Sequence, residues 1–96
     1  MQIRWSLAAA DDLEQVFDYI RARNPGAARR VAETVYDRVE ALGAVPYQGR
    51  RGRAAGTREL PVPPLPFIVV SRVLEQADAI EIVNVIHGAR RWPPAS

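Results

Sequence analysis

The 96-residue sequence contains no cysteine and no lysine, one methionine and one histidine. Without cysteine there are no disulfides and no thiolate metal ligands, and a lone imidazole builds a zinc site only if carboxylates supply the remaining ligands. No metal and no cofactor are expected. Long hydrophobic runs are also missing: no apolar stretch approaches the roughly 18 residues of a membrane span, and the amino terminus lacks the basic-then-apolar layout of a secretory signal. A cytoplasmic protein with no membrane partner is the expectation. At 48% hydrophobic residues the chain can bury one modest core, and two domains would each be too small to be stable. Residues 1–96 therefore read as a single domain.

What is present is arginine, which accounts for all 13 basic residues against 11 acidic ones. Guanidinium forks suit phosphates and carboxylates. A GC-rich coding bias would produce the same enrichment, together with the abundant alanine and proline, so composition alone decides nothing about nucleic acid. Position says more. Asp11, Asp12, Glu14 and Asp18 concentrate early, Arg50, Arg51, Arg53 and Arg58 crowd the middle, and Arg90 and Arg91 stand near the end. The two basic regions would make one patch if the fold joins them.

Hydrophobic periodicity supplies the architecture. "MQIRWS" alternates Ile3 and Trp5 against Gln2 and Arg4, the period of a half-buried strand. Ser6 stands where an N-cap belongs, with Asp11, Asp12 and Glu14 placed to favour the positive end of a helix dipole. Ala10, Leu13, Val16, Phe17 and Ile20 form one stripe, predicting a helix from about Leu7 to Arg23. Asn24-Pro25 ends that helix and caps another, whose stripe of Ala28, Val31, Ala32, Val35, Val39 and Leu42 runs to Gly43. An antiparallel helical hairpin follows. Beyond Gly56 the pattern turns to strands: Thr57–Val62, shortened by Pro61 and Pro63, then Pro66–Leu74, then Ala79–His87. The last two are apolar on both faces, so at least one is expected to be central in the sheet with both sides covered. The predicted fold is α+β, in the order β-α-α-β-β-β, with the helical hairpin on a small antiparallel sheet. The first strand is placed beside a later one.

The succession "W...A..DLEQVFDYI", "NPGAARRV", "P..GRRGRAAGTREL", "EIVNVIHGARRWP" resembles the RelE/ParE superfamily of toxin–antitoxin toxins, most of all its ParE branch. The similarity covers nearly the whole chain, and its specificity lies in the order and spacing of the pieces. The resemblance implies a cognate antitoxin that wraps the toxin and masks its working surface, hence a toxin–antitoxin hetero-oligomer. It implies one of two activities. ParE-like members poison DNA gyrase, trapping it on cleaved DNA; RelE-like members cut messenger RNA on the ribosome.

A metal-free ribonuclease needs a base, an acid and cations to stabilise a pentavalent phosphate. Members close to RelE use lysines, arginines and a tyrosine near the carboxy terminus, whereas this chain has no lysine and its last tyrosine is Tyr47. A set similar to that of YoeB can be assembled from Glu59, Arg72 and His87, one from each of the three later strands. Each has a plainer reading: His87 as a half-buried structural histidine, Glu59 and Arg72 as a cross-strand ion pair, and Trp92 as a lid over one end of the core. The arginine turn suits an anionic partner, or is simply a solvated connection. The leading expectation is a gyrase poison acting by binding through Arg50, Arg51, Arg53 and Arg58, supported by His87, Arg90, Arg91 and Trp92. The alternatives are the ribosome-dependent endonuclease and a harmless DNA- or protein-binding module.

Overall fold

The computed structural model of the chain describes residues 1–88. Strand β1 (Gln2–Trp5) leads into helices α1 (Leu7–Arg23) and α2 (Pro25–Leu42), followed by β2 (Arg50–Arg51), β3 (Arg58–Pro61), β4 (Phe67–Leu74) and β5 (Ala79–His87). Among the described residues no helix is long and apolar enough to cross a membrane.

Local chemistry sets the helix boundaries. Ser6 Oγ accepts the Ala9 N–H at 3.0 Å and donates to the Val83 carbonyl at 2.9 Å, so one hydroxyl both caps α1 and ties it to β5. Asn24 Oδ1 accepts the Ala27 N–H at 3.2 Å with Pro25 at the first helical position, as its sequence demands. The stripe of α2 buries Ala28, Val31, Val35, Val39 and Leu42 as expected. In α1 the buried positions are Ala9 and Leu13, and Ala10 is exposed. The early acids do not serve the dipole either, because the first turn of α1 carries no acidic residue and the effect fades beyond it. Asp12 instead docks α1 on the sheet: its Oδ2 accepts from Asn84 Nδ2 at 2.8 Å and from the Val85 N–H at 2.9 Å. The register between β4 and β5 shifts just there, at Val70/Ser71, leaving that part of the ladder in need of an outside acceptor.

The sheet runs β1-β5-β4-β3-β2. It is mixed rather than purely antiparallel, because β1 pairs in parallel with β5, Ile3 beside Ile80 and Trp5 beside Ile82. A strand followed by two antiparallel helices returns to the sheet by a long crossover, which frees it from hairpin geometry. The helices pack over β1 and β5, and their stripes close a core with Leu60, Val62, Val69, Ile80 and Ile82. Trp5 meets Tyr36 edge-on at 5.8 Å and joins β1 to α2. The opposite sheet face carries a smaller cluster of Ile68, Val70 and Ile86 with Val83 beside it. Both apolar faces of β4 and β5 are thus buried, which explains their lack of alternation.

Strand β2 is an addition to the expected order. A two-residue strand inside an arginine-rich turn leaves no periodic signal.

Candidate functional site

The segment Gly49–Leu60 is a β-hairpin at the outer edge of the sheet. Arg50 lies opposite Glu59 and Arg51 opposite Arg58, and the Gly52 N–H donates to the Thr57 carbonyl at 2.8 Å. Gly52 is required by space: a Cβ there would stand 2.0 Å from Thr57 Oγ1. That hydroxyl and the Thr57 N–H both donate to the Ala54 carbonyl, closing the turn.

Period 2 sorts the arginines onto two faces. Arg50, opposite Glu59 and in line with Val70 of β4, belongs to the face away from the helices. There Glu59 is fully buried, and its carboxylate gathers Arg50 Nη2 at 3.4 Å, Arg53 Nε at 3.2 Å and the Arg53 N–H at 2.8 Å. A buried carboxylate so held fixes the hairpin in place, and removing its partners would leave an uncompensated charge. Two of the four arginines expected to face a partner, Arg50 and Arg53, thus pair with a buried carboxylate while their own side chains stay partly exposed.

Arg51 and Arg58 occupy the other face, in line with Ser71 and then Ile82. They border a cleft of about 400 Å³ together with Tyr47, Thr57 and Val73. Like charges directly opposed across a ladder disfavour the pairing by a few tenths of a kcal/mol or more. Among the described residues ion pairs engage Arg21, Arg29, Arg50, Arg53 and Arg72, but neither Arg51 nor Arg58. Arg58 lies 5.5 Å from the centroid of the Tyr47 ring. The Tyr47 hydroxyl donates to Glu75 Oε1, and that bond raises the phenol above its ordinary value of 10.0, with burial and the Glu75 charge adding to the shift and Arg58 opposing it. Ser71 Oγ, next in line to Arg58, is buried without a hydrogen-bond partner among the described residues.

The structure does not bring Glu59, Arg72 and His87 together. Glu59 pairs with the turn arginines, so the expected Glu59–Arg72 ion pair is not formed; the residue opposite Glu59 is Val70. Arg72 lies opposite Glu81, with Nη1 3.6 Å from Glu81 Oε1. His87, at the end of β5, meets Phe67 edge-on at 5.8 Å. It lines a separate cleft of about 420 Å³ against α1, with Asp12, Tyr19, Phe67 and Val85. Phe67 is four positions along β4 from Ser71, the partner of Arg58, which places His87 about 13 Å from the arginine row along the strand. His87 and the arginine turn therefore share no cleft among the described residues. Arg90, Arg91 and Trp92 lie outside the described residues. Among those described, no group of three or more histidines and carboxylates could hold a metal ion.

A helical hairpin over a mixed sheet, with an arginine-rich hairpin at the sheet's edge, defines the class as the α+β toxin fold that the sequence resembled. Residues 3–92 match the family described as "ParE toxin of type II toxin-antitoxin system, parDE", and the chain belongs to that family. It is 37% identical over 92 residues to the Sinorhizobium fredii (strain NBRC 101917 / NGR234) protein named "Putative toxin Y4kP", covering 96% of this chain and 93% of that protein. Among solved structures it superposes with a TM-score of 0.82 and 27% identity on a chain of the "Chromosomal ParDE TA system from P. aeruginosa", over 91% of this chain and 95% of the other.

Proposed function

We propose that this ParE-family toxin acts by binding, that its target is DNA gyrase, and that a cognate antitoxin neutralises it in the cytoplasm. The observation supporting binding over catalysis is the dispersal of the only acid–base set the sequence offered. Glu59 is enclosed by two guanidinium groups and a backbone N–H, Arg72 faces Glu81, and His87 opens on the α1 side. General acid–base catalysis needs such groups within about 3 Å of the same reacting centre. Membership of the ParE family supports gyrase as the target, by the resemblance to members that poison it.

The test combines purified toxin with gyrase and supercoiled plasmid. Trapped linear DNA is the expected product; because His87 lines a cleft separate from that of the arginine turn, binding does not depend on it, and the His87→Gln variant should produce as much linear DNA as the parent. Intact plasmid, together with messenger RNA cut in a purified translation system and no cutting by His87→Gln, would establish the endonuclease instead.

A further inference from the structure

The arginines on the helix side of the outer hairpin set two positive charges directly opposite one another across a ladder, an arrangement that an anion would stabilise. Arg51 and Arg58 are direct cross-strand partners, and neither has a carboxylate at ion-pair distance among the described residues. The other face of the same hairpin shows what such an arrangement accepts. There Arg50 and Arg53 converge on one carboxylate, that of Glu59, with a backbone N–H completing the grip. On the Arg51 side the corresponding space is an open cleft of about 400 Å³, walled by Tyr47, Val73 and the glycine-bearing turn.

We propose that this cleft binds an aspartate or glutamate side chain from an acidic peptide segment of a partner protein, with Arg51 and Arg58 gripping the carboxylate and the Tyr47 ring flanking its stem. The site stands whether or not gyrase is the toxin's target. Two features favour a peptide over a nucleic-acid backbone. A polynucleotide requires a continuous basic track, and here the Glu75 carboxylate, bonded to Tyr47, interrupts it beside the cleft. Next to the cleft runs β2, the outermost strand, whose far edge has no ladder partner among the described residues. An extended peptide can add to such an edge through its own backbone, placing alternate side chains on the cleft side.

The experiment follows the arginine Nε–H signals of the whole protein by NMR at low ionic strength, where such contacts are least screened. The probes are hexaglutamate, inorganic phosphate and a short oligothymidylate. Hexaglutamate should shift the Arg51 and Arg58 signals and saturate, and Arg51→Gln and Arg58→Gln should each weaken it about tenfold, the loss of a charge-assisted bond. Arg30→Gln, on the exposed face of α2, should bind as the parent does. Relief of like-charge repulsion should leave the thermal midpoint of Arg51→Gln at or above the parent's, whereas a merely structural arginine would lower it. Should Arg58→Gln fail to fold, Arg51→Gln on the exposed outer strand carries the same comparison. Unmoved Arg51 and Arg58 signals, parent-like binding by both variants, or tighter binding of oligothymidylate at these arginines would each overturn the proposal.

Discussion

Glu59 shows how one residue decides the character of the arginine turn. Alternation placed it on a different face from Arg58, which the strand pattern made legible, but its burial depended on a strand, β2, that carries no pattern of its own. Replacing Glu59 by Ala removes the acceptor of two guanidinium groups and of the Arg53 N–H, and leaves space behind. The expected loss is about 2–4 kcal/mol in chemical denaturation. A catalytic glutamate would instead cost activity with little stability. Tyr47 supplies a pH signature. Its phenol is raised above 10.0 in the folded protein, chiefly by the bond to Glu75, so the folded state holds that proton more tightly than the unfolded one. The contribution to stability is whole below the unfolded value and disappears as pH rises through the folded one. Ultraviolet titration should therefore show Tyr47 ionising above the ordinary value of 10.0. Glu75→Gln, which removes the anion, should bring that tyrosine back towards 10.0.

At the scale of elements, most boundaries could be read from the chain because each has a local cause. Ser6 and Asn24 cap, Pro25 starts a helix, and Pro61 closes a strand at the residue where its register ends. What was not legible depends on partners far along the chain. The parallel pairing of β1 with β5 and the docking of Asp12 on Asn84 and Val85 join residues more than 70 positions apart. Neither leaves a mark on hydrophobic spacing. The hairpin element can be tested alone. Gly52→Ala drives a methyl into Thr57 Oγ1, so it should lose about 2 kcal/mol or more in a thermal melt and disturb the Arg51–Arg58 row. Gly26→Ala, in the first turn of α2 with its nearest neighbour atom 3.6 Å from the new Cβ, should be neutral or slightly stabilising. Equal losses from the two substitutions would deny the turn its close packing.

For the molecule as a whole, strand register divides the arginine turn between two faces of the sheet. On the far face Arg50 and Arg53 contact the buried Glu59 carboxylate from its solvent side; on the helix-side face Arg51 and Arg58 border a cleft beside Tyr47. The chain order of "GRRGRAAGTREL" revealed the richness in arginine but not this division, because facing is set by hairpin register and register by the turn. His87 was legible as the polar end of an apolar strand, yet its place against α1 came only with the packing of Phe67 and Asp12 around the same cleft. The proposed action by binding has a consequence that catalysis does not: a stoichiometric poison is consumed in proportion to its target. Titrating the toxin against a fixed amount of gyrase should abolish supercoiling in a linear dose response that ends near equivalence with the enzyme. Loss of translation templates at toxin levels far below those of ribosomes, with supercoiling untouched, would contradict it.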